Sequence, residues 1–363
     1  MDRPGWLPGR KPVRDREPRM SPSETGGGRI RAYLQFIIAV CYFFLARSLA
    51  RHGALGLTSQ DWAPLTEQAM LVFLLLLGYA AFGSWMDRQA SPISQQGLPR
   101  RAGWTTEAGM GLVTGWSIAV VCVLPMVLAG GIAIVLNLQP SAWGWLLADA
   151  AFFALLSLGE EIAFRGYGFQ RFVYAVGPVG ACLGYAAFYA IVQALVPGSS
   201  HSSVSVSVML SLVLSMAYLR TRALWVSWGI NFGWKASRAL LFGLAVNGVN
   251  NHSPVVQGDP MGPFWLTGGG YGVDGSWVTF FILLAALPVV YRLTRELDYR
   301  YNAPVIIPGG IAVDLDAASR RQHQAATRPA EPAAPTLVQI LPVAAPSPAP
   351  VSDASPADTA SNS

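Results

Sequence analysis

Residues 143–166 read WGWLLADAAFFALLSLGEEIAFRG, an apolar run long enough to cross a bilayer that carries adjacent glutamates, Glu160 and Glu161, and an arginine, Arg165. A spanning helix needs roughly 20 apolar residues. An ionised carboxylate at its centre costs about 2.5–3.5 kcal/mol on insertion scales, so charged groups there mark a working site by default. Their partners then decide what kind of site it is.

Composition agrees with a membrane setting. The chain has 363 residues, 52% hydrophobic and 12% charged, where soluble domains carry about 25% charged residues. Seven further apolar runs lie near 32–50, 68–86, 109–136, 179–196, 204–219, 224–242 and 277–291. The expected fold is all-α, a polytopic transmembrane helix bundle of eight spans within residues 32–300. The run at 109–136 is long and holds Pro125 and the pair Gly130-Gly131, so a kink is expected in it. Residues 1–31, rich in Arg, Pro and Gly, and 301–363, rich in Ala, Pro and Ser, read as disordered tails. No internal repeat is visible, which argues against a carrier built from inverted halves.

Arginines follow every second run: Arg88, Arg100 and Arg101 after the second, Arg165 and Arg171 after the fourth, Arg220 and Arg222 after the sixth, and Arg292, Arg295 and Arg300 after the eighth. The connections 137–142 and 197–203 carry no Lys or Arg. The positive-inside rule then puts both termini in the cytoplasm. The net charge of +5 is dispersed over these connections with no basic stripe interleaved with aromatics, so no nucleic-acid partner is expected. Cys41, Cys122 and Cys182 lie in apolar runs without metal-ligand spacing and read as small hydrophobes. Trp225, Trp228, Trp234 and Trp277 read as an aromatic belt, and Gly229, Gly233 and Gly243 as sites of close helix packing.

On a helix Glu160 and Glu161 point about 100° apart, so one of them faces a given cleft squarely. Arg165, four residues after Glu161, is placed to pair with it. That leaves Glu160 freer to act as a base on water. Asp149, three turns before Glu160, either shares the polar cleft or sits near the outer interface, and its place near the start of the run favours the interface. The bland alternative is a polar knot that merely joins helices.

Three stretches give the site a relative. GEEIAFRGYGFQRF (159–172) resembles the first signature of the CPBP family, the CAAX-protease and bacteriocin-processing (Abi) membrane proteins. LWVSWGINFGWKAS (224–237) is similar to that family's last motif, in which a His stands four residues before an Asn or Asp. WLTGGGYGVDGSW (265–277) resembles the loop before the final helix in many bacterial members. The resemblance covers about residues 105–292. It implies an intramembrane endopeptidase of a bacterial plasma membrane, cleaving a prenylated or membrane-tethered peptide near the cytoplasmic face. Glu160 would activate water, Glu161 with Arg165 would support it, and zinc would be the cofactor.

The chain departs from this pattern in three places. Asn231 stands at the last motif's His and Lys235 at its Asn or Asp. Gln193, in Tyr189-Ala-Ile-Val-Gln193, stands at the His of the middle motif. His52, His201, His252 and His323 all fall in connections or tails. Zinc normally takes three His, Cys or carboxylate ligands, so no cofactor is assigned, and Lys235 brings a fixed positive charge in the ion's stead. Counted along the helices, Gln193 lies deeper than Glu160 and Asn231. Either the fifth span starts later than residue 179, after an interfacial stretch at 172–176, or Gln193 is not the true equivalent; the break at Gly177-Pro178 favours the first. The partner implied is a membrane-embedded or lipidated peptide within the lipid bilayer. The alternative is a non-catalytic member that binds such a partner in the inherited cleft, a reading that Lys235 favours.

Overall fold

Each apolar run contributes a helix to the computed structural model, which describes residues 26–196, 198–249 and 253–301. α1 spans Gly26–Leu57 and α2 Ala63–Asp87, and a short α3, Pro92–Gln95, leads to α4, Trp104–Leu128. α5 covers Pro140–Arg165 and breaks at Gly166 into α6, Tyr167–Val176. α7 (Pro178–Ala194), α8 (His201–Thr221) and α9 (Leu224–Ala236) follow, the last continued by a π-helical turn at Ser237–Leu241. The described chain closes with α10 (Phe264–Thr267), α11 (Trp277–Leu293) and α12 (Arg295–Tyr301).

Five of these stretches are long and apolar enough to cross a membrane: α1, α2, α4, α5 with α6, and α8. α7 and α11 are apolar but have 17 residues each, and α9 has 13. Among the described residues, five stretches thus meet the length of a span, against the eight expected. Large apolar side chains such as Phe73, Leu77, Val113 and Leu147 stand more than half exposed on the outer faces. Hydrocarbon, not water, is the solvent in which such faces are stable.

Two boundaries differ from the sequence reading. The third run does not continue as a kinked helix: α4 stops at Leu128, Gly130 turns the chain with φ 72°, and Ile132–Leu136 forms strand β1. It pairs antiparallel with β2, Val256–Pro260, Ile132 lying opposite Pro260. The fold is therefore helical with one small ribbon. The β-branched Ile132, Ile134 and Val135 suit a strand. At the other boundary α1 begins at Gly26, so the helix takes in residues assigned to the tail. The remainder of that tail, the tail from 302 onward, His252 and His323 lie outside the described residues.

α9 is held by backbone contact. Gly111 and Gly115 of α4 meet Gly229 and Gly233 of α9 in a reciprocal small-residue seam. A Cβ at Gly115 would lie 2.1 Å from the Ile230 carbonyl oxygen, and one at Gly233 would lie 2.4 Å from that of Leu112. On the other flank, Trp228 Nε1 donates to the Ala154 carbonyl of α5 at 3.0 Å. Trp234 is 1% exposed and so is no belt residue; it is buried within the bundle.

Candidate active site

The last turns of α5 present Glu160, Glu161 and Arg165 to α9. Arg165 Nη1 donates to Glu161 Oε1 at 3.0 Å, and its Nη2 reaches the Ser211 carbonyl of α8 at 3.3 Å. One turn apart on α9, Asn231 and Lys235 face the same carboxylates. Asn231 Nδ2 donates both to Glu160 Oε2, at 2.9 Å, and to Glu161 Oε1, at 3.2 Å. Lys235 Nζ donates to, and forms an ion pair with, the same Oε2 of Glu160.

The two carboxylates differ in access. Glu161 is fully buried, as are Arg165, Asn231 and Lys235, whereas the Glu160 side chain is 20% exposed. Only Glu160 can meet a reactant without rearrangement. Glu161, closed in by Arg165 and Asn231, orients its neighbours.

Gln193 is not part of this cluster. Its amide donates to the Tyr271 hydroxyl in the turn that precedes α11. α7 starts at Pro178, after the break at Gly177, and carries Gln193 in its last turn. The residue that α7 brings near is Tyr189, one turn earlier. It packs edge-on against Phe164, the residue before Arg165, with ring centroids 5.0 Å apart. A signal for it existed in the sequence: Tyr185 precedes Tyr189 by four residues, the same spacing that singled out Gln193. Asp149 is also elsewhere, accepting from the Ser253 backbone N–H at 2.7 Å.

A third ion pair, also buried, lies one turn beyond Lys235. In the π-helical turn, Arg238 pairs with Asp274 of the loop before α11. Its Nε donates to the Trp234 carbonyl at 3.0 Å, and its guanidinium lies 4.1 Å over the Trp234 ring. Such π turns recur at functional sites. Arg238–Asp274 and Gln193–Tyr271 together tie the 264–276 loop to the helices of the site.

Residues 140–237 match the family model described as Rce1-like, type II CAAX prenyl endopeptidase Rce1-like. That segment is similar to the Rce1-like family. It opens on the first residue of α5 and takes in Glu160, Glu161, Arg165, Gln193, Asn231 and Lys235. No curated protein and no solved structure matches the chain.

The zinc implied by the CPBP resemblance does not fit the side chains gathered around Glu160 and Glu161. Among the described residues, no group of three or more His, Cys, Asp or Glu side chains is placed to hold a metal ion. Glu161 Oε2 and Asn231 Oδ1 are buried and without a hydrogen-bond partner among the described residues, so lone pairs are present. They fall short of the three His, Cys or carboxylate ligands that zinc takes. The cation in contact with Glu160 is Lys235.

Proposed function

We propose that the protein is a CAAX-type intramembrane endopeptidase that hydrolyses a prenylated or otherwise membrane-tethered peptide near the cytoplasmic face. The observation that carries this reading is the asymmetry of the carboxylate pair inside the Rce1-like segment. Glu160 is open and Glu161 is closed, with Asn231 donating to both. A partly exposed carboxylate in an otherwise buried cluster is suited to take a proton from water. Donors held beside it are suited to a developing oxyanion.

On this reading α7, α9 and α11 also cross the bilayer, giving eight spans with both termini cytoplasmic. Glu160 is then the carboxylate open to an entering peptide, and the bilayer holds the lipid anchor that the substrate carries. The test is a comparison of two peptides of one sequence, one prenylated and held in vesicles, one soluble, offered to the full-length protein reconstituted in the same vesicles. Preferential cleavage of the tethered peptide is expected. Cleavage of neither peptide contradicts the endopeptidase reading.

A further inference from the structure

The side chains that hydrogen-bond the two carboxylates in the cluster are proton donors: the Lys235 ammonium, the Asn231 amide nitrogen and the Arg165 guanidinium. Two carboxylates and two cationic side chains therefore balance formally inside one largely buried cluster. A divalent ion added to that cluster would leave two uncompensated positive charges away from water, a large desolvation cost. It would also have to displace Lys235, whose side chain is 3% exposed.

We infer that Lys235 is the resident cation of the site: its ammonium stands in for a metal ion as the electrostatic partner of Glu160, and the chemistry is metal-free. The catalytic half of this inference rests on the endopeptidase reading; the charge half rests on geometry alone.

The step balances. Glu160 takes a proton from water as the water oxygen bonds to the scissile carbonyl carbon and the carbonyl π pair moves onto its oxygen. Protonation makes Glu160 neutral and so releases Lys235 Nζ, which stabilises the new oxyanion. The C–N bond then breaks, Glu160 returns its proton to the leaving nitrogen, and the Glu160–Lys235 pair reforms. Lys235 thus gains its contact with substrate only as the charge appears there, the condition under which an interaction accelerates the step.

The experiment uses full-length protein in nanodiscs as wild type, Glu160→Gln, Lys235→Met and the double variant. Bound zinc is read by elemental mass spectrometry after incubation with zinc and desalting, and unfolding midpoints are read in parallel. Wild type is expected to hold no stoichiometric zinc. Lys235→Met should unfold several degrees lower, and the double variant should recover most of that loss because both charges are gone. Cleavage of the tethered peptide should resist a zinc chelator and fall in Lys235→Met on the order of 10²-fold.

Stoichiometric zinc that disappears in Glu160→Gln overturns the inference. So does a Lys235→Met midpoint equal to wild type, or single-variant losses that simply add in the double variant. Where Lys235→Met does not accumulate, folded double variant reads the same coupling, and its absence overturns the inference. Wild type that cleaves nothing defeats the endopeptidase reading and with it the catalytic half, while zinc content and midpoints still decide the charge half.

Discussion

Gly115 of α4 touches the backbone of Ile230 on α9: a Cβ on Gly115 would lie 2.1 Å from the Ile230 carbonyl oxygen. The contact falls one residue from Asn231, so the depth at which α9 seats against α4 sets the position of the amide that bridges Glu160 and Glu161.

Even the smallest side chain should therefore be felt here. Gly115→Ala is expected to force the helices apart and destabilise the protein by about 1–3 kcal/mol, the range for overpacking. Gly109→Ala, on the same helix with nothing within 4 Å of its Cβ position, should match or slightly exceed wild type. Unfolding midpoints of the two variants check this.

Arg165 and Glu161 form a buried pair at 3.0 Å. Arg165→Met strands a fully buried carboxylate, and breaking such a pair costs about 3–5 kcal/mol. The double variant Glu161→Gln with Arg165→Met should recover part of the loss, measured as coupling in a double-mutant cycle of denaturant unfolding.

Asp274 holds Arg238 in the π-helical turn. Asp274→Asn is expected to destabilise by a similar amount, about 3–5 kcal/mol, because Arg238 is left buried and unpaired. Amide hydrogen exchange across 264–276 should speed up, while removing both charges should slow it again.

Gln193 hydrogen-bonds Tyr271 and not the carboxylates. Gln193→His is thus expected to add neither zinc binding nor cleavage, although it writes in the residue that the family's middle motif would have there. Gln193→Leu should cost about 1–3 kcal/mol, the usual penalty for a buried polar group that loses its partner. Zinc content and peptide cleavage check the first variant, and unfolding checks the second.

The helices were legible from run length, and the pairing of Glu161 with Arg165 followed from four-residue spacing on a helix. Asn231 and Lys235 were legible because they share one face of α9. β1 was not, since an apolar run at 132–136 reads alike as helix end or strand until its partner at 256–260 is known. Tyr189 was missed because two aromatics, Tyr185 and Tyr189, head equally good four-residue steps, and only the seating of α7 chooses between them. Arg238 and Asp274 are 36 positions apart, and nothing local in either segment announces a pair made by a returning loop.

The most direct measurement is cleavage of one prenylated, vesicle-tethered peptide by wild type and by Glu160→Gln, both shown to be folded by their unfolding transitions. A hydrolytic Glu160 predicts cleavage by wild type and a loss of roughly 10²–10⁴-fold in the variant, the range for removing a general base. Equal cleavage by the two proteins, or none by wild type, contradicts the assignment of Glu160 as the base.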